Sequence, residues 1–201
     1  MGRKEEVANF VSRKIYFLQK ETGLSNSNAA LANLRRGIGY EPGELPQLFG
    51  IVLLDFPERF MSENGVATKE EWACYIALTL YALHQQGYDI KNQSMHIEQE
   101  ESVGSAMLRL ALSNEDSNAE QRMLQRLQML ATSVDRKELA YHLRGIIQLL
   151  RAKGIPMNYG RLAKDLYEIQ FPEGKKRVCL KWGQDFYKRT NRKEEKENDN
   201  E

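Results

Sequence analysis

The spacing of apolar residues constrains this chain more than any other feature. Leu139, Leu143, Ile146, Ile147 and Leu150 stand at i, i+4, i+7, i+8 and i+11, one broad apolar stripe along a helix. Val7, Phe10, Val11, Ile15 and Leu18 repeat the pattern near one end, and Val178, Cys179, Trp182 and Phe186 near the other. Residues three apart fall on opposite faces of a strand, so these stripes have no use in a sheet. Composition agrees: 24 Leu stand against 7 Val, with only 5 Pro.

The periodicity predicts helices over about 3–21, 68–86, 102–113, 117–131, 135–153, 158–169 and 173–190. Asn26-Ser27-Asn28 offers N-caps for a shorter helix carrying Leu31 and Leu34, which Gly37 closes. Gly23 stops the helix before it. Pro42, Pro46 and Pro57 break the stretch 42–65 into short helices and turns. Thr68 with Glu71 three on is a capping box opening a strongly apolar helix. The fold class is therefore all-α: a compact helical protein of about eight to nine helices in two small bundles. An N-terminal lobe is expected over 1–90 and a C-terminal lobe over 102–190, with a polar loop near 87–101 between them. The tail 191–201 holds no apolar residue and is expected to be disordered.

Many function classes lack their residues. With 201 residues, 41% hydrophobic and 28% charged, the chain can bury a core without metal or disulfide staples. Its longest uncharged run, Trp72 to Tyr88, includes His84, Gln85 and Gln86, so no membrane span is expected. The opening Met1-Gly2-Arg3-Lys4-Glu5-Glu6 has neither the apolar core of a signal peptide nor the Ser or Thr of a myristoylation signal. Cys74 and Cys179 are read as buried, inert thiols in a reducing cytoplasm. His84, His96 and His142 have no partner at metal-ligand spacing, and phosphate-loop and nucleophile-elbow motifs are missing, so no cofactor and no small-molecule substrate are expected. Asp165, Glu168 and Glu173 alternate with Lys164, Lys175 and Lys176 and read as surface, while Trp72, Tyr75, Tyr81 and Trp182 read as core. No catalytic constellation emerges, so the chain is not expected to be an enzyme.

Charge carries the functional signal. The net charge is only +1, but its distribution along the chain is +4 over 1–40, −8 over 41–101, zero over 102–131, +7 over 132–190 and −2 beyond. Within the basic segments the cations align on faces. Lys137, Arg144 and Arg151 are seven apart and form one stripe, because a helix drifts only about 20° per heptad. Arg122 and Arg126 are an i, i+4 pair, and Arg177, Lys181 and Lys188 form a third set. Phosphate backbones take this arrangement of repeated cations, and Arg can fork onto two oxygens.

The order of several segments is similar to one known family. Leu31-Ala32-Asn33-Leu34-Arg35-Arg36-Gly37 resembles the LxxLRRG signature of the small subunit (CasB) of the type I-E CRISPR Cascade complex. Ser102-Val103-Gly104-Ser105-Ala106-Met107, then Arg122 and Leu143-Arg144, continue the likeness. So does the ending Met157-Asn158-Tyr159, Leu162, Asp165-Leu166, Val178, Trp182 and Asp185-Phe186-Tyr187. The resemblance spans roughly residues 5 to 189. Two positions depart from it: Ser105 stands where relatives often carry Arg, and Asn158 where Asp is frequent.

The resemblance implies a non-enzymatic, all-helical subunit that sits with other Cascade subunits and a second copy of itself. Its implied role is to hold the R-loop, engaging the displaced DNA strand and the crRNA-target duplex through a basic surface. The expected contacts are Arg35, Arg36, Arg122, Arg126, Lys137, Arg144, Arg151, Lys176 and Arg177. Arg35, Arg36, Arg122 and Arg144 match the family by position, and the others follow from the stripes. The acidic segment 41–101 is expected to face basic subunits or the second copy. A structural adaptor that binds only proteins is the main alternative. Further alternatives are a helix-turn-helix reader, with Arg35-Arg36 at a helix end near Gly37, and a nuclease, which lacks a carboxylate pair at metal-site spacing.

Overall fold

The computed structural model describes residues 2–20, 24–114 and 116–188, with backbone alone at 24 and 25. The 191–201 tail and Gly23 lie outside the described residues. Nine α-helices occur in the described part: α1 (Arg3–Lys20), α2 (Leu24–Arg36), α3 (Phe49–Val52), α4 (Lys69–His84), α5 (Val103–Leu112), α6 (Ala119–Thr132), α7 (Arg136–Ala152), α8 (Tyr159–Ile169) and α9 (Pro172–Tyr187). Short 3₁₀ turns cover Pro46–Leu48 and Glu58–Phe60 in the proline-broken stretch. No strand is present among the described residues; His96 and Met157 form one isolated bridge.

The core is built around α4. From Trp72 to His84 every residue of this helix is buried, the behaviour of a helix that is apolar on all sides. The capping box that starts it is complete: Thr68 Oγ1 accepts from Glu71 N–H at 3.1 Å, and the Glu71 carboxylate accepts from Thr68 N–H at 2.7 Å. Around α4 pack α1, α2, α7 and α8, and α5 docks on α6, α7 and α9. One apolar cluster runs without a break from Val7 on α1 to Phe186 on α9. Trp72, Tyr75, Tyr81 and Trp182 all lie in it, as expected of core aromatics.

The polar loop 87–101 is pinned across the molecule. Gln85 donates to the Tyr88 and Gln93 carbonyls at 3.1 and 2.9 Å and accepts from Met95 N–H at 2.8 Å. Met157 N–H donates to Met95 O, and Ile97 N–H to Met157 O, both at 3.2 Å. Asn158, the N-cap of α8, also donates to the Glu98 and Gln99 carbonyls. The helix following the loop's anchor, α8, seats on α1 and α4.

Three local expectations are corrected. Asn26–Asn28 does not precede α2 but lies within it, and the buried Ser27 hydroxyl donates to Leu18 O of α1 at 2.7 Å. Gly37 does not adopt a left-handed cap; that conformation falls on Gly39 (φ 90°). Gly37 is needed for close approach instead, since a Cβ there would stand 2.7 Å from the Tyr75 hydroxyl, which donates to the Gly37 carbonyl at 2.9 Å. Asp165 is not surface. It is buried, accepting from Trp182 Nε1 at 2.7 Å and from Arg161 Nε at 2.9 Å. Glu168 is part-buried as well, ion-paired to Lys4 at 2.9 Å.

Candidate nucleic-acid interface

The basic face is assembled where α7 crosses α4 beside the turn that follows α2. The apolar stripe of α7 (Leu139, Leu143, Ile146, Ile147 and Leu150) is buried, which leaves Lys137, Arg144 and Arg151 along its flank. Asp135 caps the helix by accepting from Glu138 N–H at 2.8 Å. Lys137 and Arg144 line a cleft of about 110 Å³. Its floor is Trp72, Ile76, Thr79 and Leu80 of α4, and its far wall is Ile38 to Glu41. Arg35 and Arg36 end α2 immediately before that wall.

Arg35 and Arg151, far apart in sequence, lie near enough for their charges to interact. The Arg35 guanidinium is held below its usual range, first by partial burial and then by repulsion from Arg151. An anion nearby would relieve that repulsion. Arg151 is anchored by a hydrogen bond to Gln86 Oε1 at 2.7 Å, and its carbonyl accepts from the Tyr88 hydroxyl at 2.5 Å. Arg126 on α6 lies alongside α7, its Nη1 3.6 Å from where a Cβ on Gly145 would stand. Arg35, Arg36, Arg126, Lys137, Arg144 and Arg151 make no ion pair among the described residues.

The other three expected contacts are placed differently. Arg122, one turn before Arg126 on α6, is ion-paired to Asp116 at 2.7 Å. Lys176 pairs with Glu173 at 2.9 Å, and Arg177 approaches Glu168 at 3.9 Å. These last two sit on α9, which packs on α5, α6 and α8 and takes no part in the α2–α4–α7 cleft. The structure therefore does not bring Lys176 and Arg177 into one surface with Arg35 and Arg144. Their carboxylate neighbours already supply the countercharge a phosphate would offer.

Two residue classes at this face are not evident from charge spacing alone. Arg136 stacks 5.8 Å from the Trp72 ring centroid and lies 3.6 Å from the Glu41 carboxylate, closing one end of the cleft. Tyr40 and Tyr141 edge the cleft and are 49% and 71% exposed. The spacing signal for Tyr141 is in the sequence: it stands four after Lys137 and three before Arg144, inside the cationic stripe.

Among the described residues there is no group of three metal-ligating side chains. His84 and His96 flank Tyr159 in the interior: His84 Nδ1 shares a hydrogen bond with the Tyr159 hydroxyl at 2.8 Å, and His96 Nδ1 accepts from Tyr159 N–H at 3.1 Å. Burial pushes both imidazoles down to about 4. Burial also raises the thiols of Cys74 and Cys179, which keeps them protonated and poor nucleophiles. No helix among the described residues is long and apolar enough to cross a membrane.

Comparison with known proteins agrees with this architecture. The family model for CRISPR-associated protein Cse2 matches residues 30–187. The crystal structure of CasB from Thermobifida fusca is 34% identical, with a TM-score of 0.71 over 90% of this chain and 97% of that one. Crystal structures of CasB and of a Cse2-family CRISPR-associated protein, both from Thermus thermophilus, share the fold at 24% and 23% identity. Their TM-scores are 0.63 and 0.62, over 93% of this chain and 99% of each of theirs. No curated protein sequence matches. The chain belongs to the CRISPR-associated Cse2 (CasB) family.

Proposed function

We propose that this protein is a non-catalytic, nucleic-acid-binding subunit of a type I-E Cascade complex, where its basic face stabilises the R-loop. The reading is supported by Lys137 and Arg144 lining one cleft beside the turn that Arg35 and Arg36 lead into, with none of these cations ion-paired among the described residues. Opening a target duplex exchanges it for a guide-target duplex of similar stability. Backbone contacts that hold the displaced strand or the new duplex therefore tip the balance. A surface that tracks phosphates needs positive charge and no base-specific readout. Assembly with other Cascade subunits and a second copy of the chain, in the cytoplasm, completes the role.

The isolated protein is expected to bind a labelled single strand weakly and without sequence preference. With about five phosphates neutralised, log affinity should fall against log salt with a slope near −3.5. The double reversal Arg35→Glu/Arg36→Glu should lower R-loop yield in the reconstituted complex while the helical signal in circular dichroism stays unchanged. A flat salt dependence together with an unchanged R-loop yield overturns the proposal. In that case the alternative, an adaptor whose basic face meets only acidic protein surfaces, becomes the better account.

A further inference from the structure

The proposed function needs only phosphate contacts, but the basic face also holds an aromatic cleft for which phosphates have no use. Resting on that reading, we propose that the cleft between α4, α7 and the 38–41 turn is a stacking site for one unstacked base of single-stranded nucleic acid. Tyr141 is its platform.

Exposure is the first observation. Tyr141 is 71% exposed on a helix whose other face is packed, and Tyr40 is 49% exposed on the opposite rim. Tyr141 is the most exposed aromatic ring among the described residues, where Trp72, Tyr81, Tyr159 and Trp182 are buried. Position is the second. Lys137 and Arg144, one turn before and after Tyr141 on the same side of α7, bracket the ring with cations. A strand whose phosphates lie on that stripe presents its bases to the tyrosine between them.

The chemistry of the cleft is the third. Trp72, Ile76, Leu80 and Ala140 give it apolar walls, while Arg136 supplies a guanidinium at one end. At about 110 Å³ it is well below the ~300–1,000 Å³ of small-molecule cofactor sites, so it has room for a ring-sized group. A duplex keeps its bases stacked and paired, so the occupant must come from a single strand. Stacking on tyrosine tolerates any base, because every base has a π-face.

The test compares two labelled single strands of equal length, one of ordinary mixed sequence and one with the same phosphates but abasic sugars. Both are titrated against the full chain by fluorescence anisotropy. The base-bearing strand should bind about ten-fold tighter. Tyr141→Ala should erase that difference and leave the salt slope unchanged, whereas Tyr141→Phe should preserve it. The exposed position of Tyr141 leaves the fold intact in both variants. Equal binding of the two strands by the native protein overturns the stacking site and leaves the electrostatic face standing. Absence of any binding removes both. If Tyr141→Ala spares the strand ratio and instead abolishes self-association in sedimentation velocity, the cleft seats a second copy and the stacking site is overturned.

Discussion

Gly104 faces the backbone of Trp182 so closely that a Cβ would fall 1.9 Å from the Trp182 carbonyl oxygen. No side-chain rotation relieves an overlap with backbone, so α5 and α9 can cross here only through glycine. Gly104→Ala is expected to destabilise the protein by about 3 kcal/mol or more, read as a lowered urea midpoint. An unchanged midpoint would contradict the close crossing. The neighbouring Ser102 works on the same contact. Its hydroxyl caps α5, accepting from Ser105 N–H at 3.4 Å, and donates to the buried Asp185 carboxylate of α9 at 2.8 Å. Trp182 and Asp165 tie α9 to α8 in the same way. The residues that make the chain resemble its family are thus mostly those that lock helix to helix. Among them Arg144 lines the basic cleft, and Arg35 and Arg36 end α2 just before its far wall. The side chain of Ser105 is half-buried beside Ser102.

At the scale of elements, α7 divides its work by face. Its buried stripe holds the core, and its outer stripe alternates Lys137, Tyr141, Arg144 and Arg151. Lys137→Glu/Arg144→Glu should weaken strand binding and flatten the salt slope by about 1.4, at roughly 0.7 per lost phosphate contact. Lys176→Glu/Arg177→Glu on α9 should leave the slope unchanged, because Glu173 and Glu168 already neutralise those cations. Equal losses from the two pairs would spread the interface over both sides of the molecule. The start of α4 offers a separate check on the fold. Thr68→Ala removes the N-cap and should cost about 1 kcal/mol of stability without altering binding, measured by denaturation and anisotropy on the same preparation.

Across the whole molecule, Tyr159 at the start of α8 joins α4 through His84 and the 87–101 loop through His96. Both histidines are neutral in the fold, held down to about 4 by burial, with Arg151 and Arg109 adding repulsion at His84. In the unfolded chain they titrate near 6.5, so between pH 6.5 and 4 the unfolded state binds more protons. Their contribution is fully present above pH 6.5 and is lost as pH falls toward 4, on the order of 3 kcal/mol for each. The urea midpoint should therefore drop steadily over that window. Asp165 works against the trend, since burial raises its carboxyl, but it is one group against two. Proton resonances of His84 and His96 that titrate near 6.5 in the folded protein would show that this network is open to water.

The helices and most of their ends were determined by the sequence, because a 3.6-residue apolar period and a cap such as Thr68 or Asp135 act over one or two turns. The basic stripe of α7 was legible for the same reason. Long-range placement was not. Nothing local says that Asp165 is buried under Trp182, that Ser27 reaches back to Leu18, or that Lys176 and Arg177 spend their charge on α9's own neighbours. Each of these depends on which apolar stripe packs on which, and that choice is made jointly by all the helices around α4. Only the tertiary structure, by closing α7 against α4 and the turn after α2, decided that Arg136, Lys137 and Arg144 line one cleft with Tyr40 and Tyr141 at its edge.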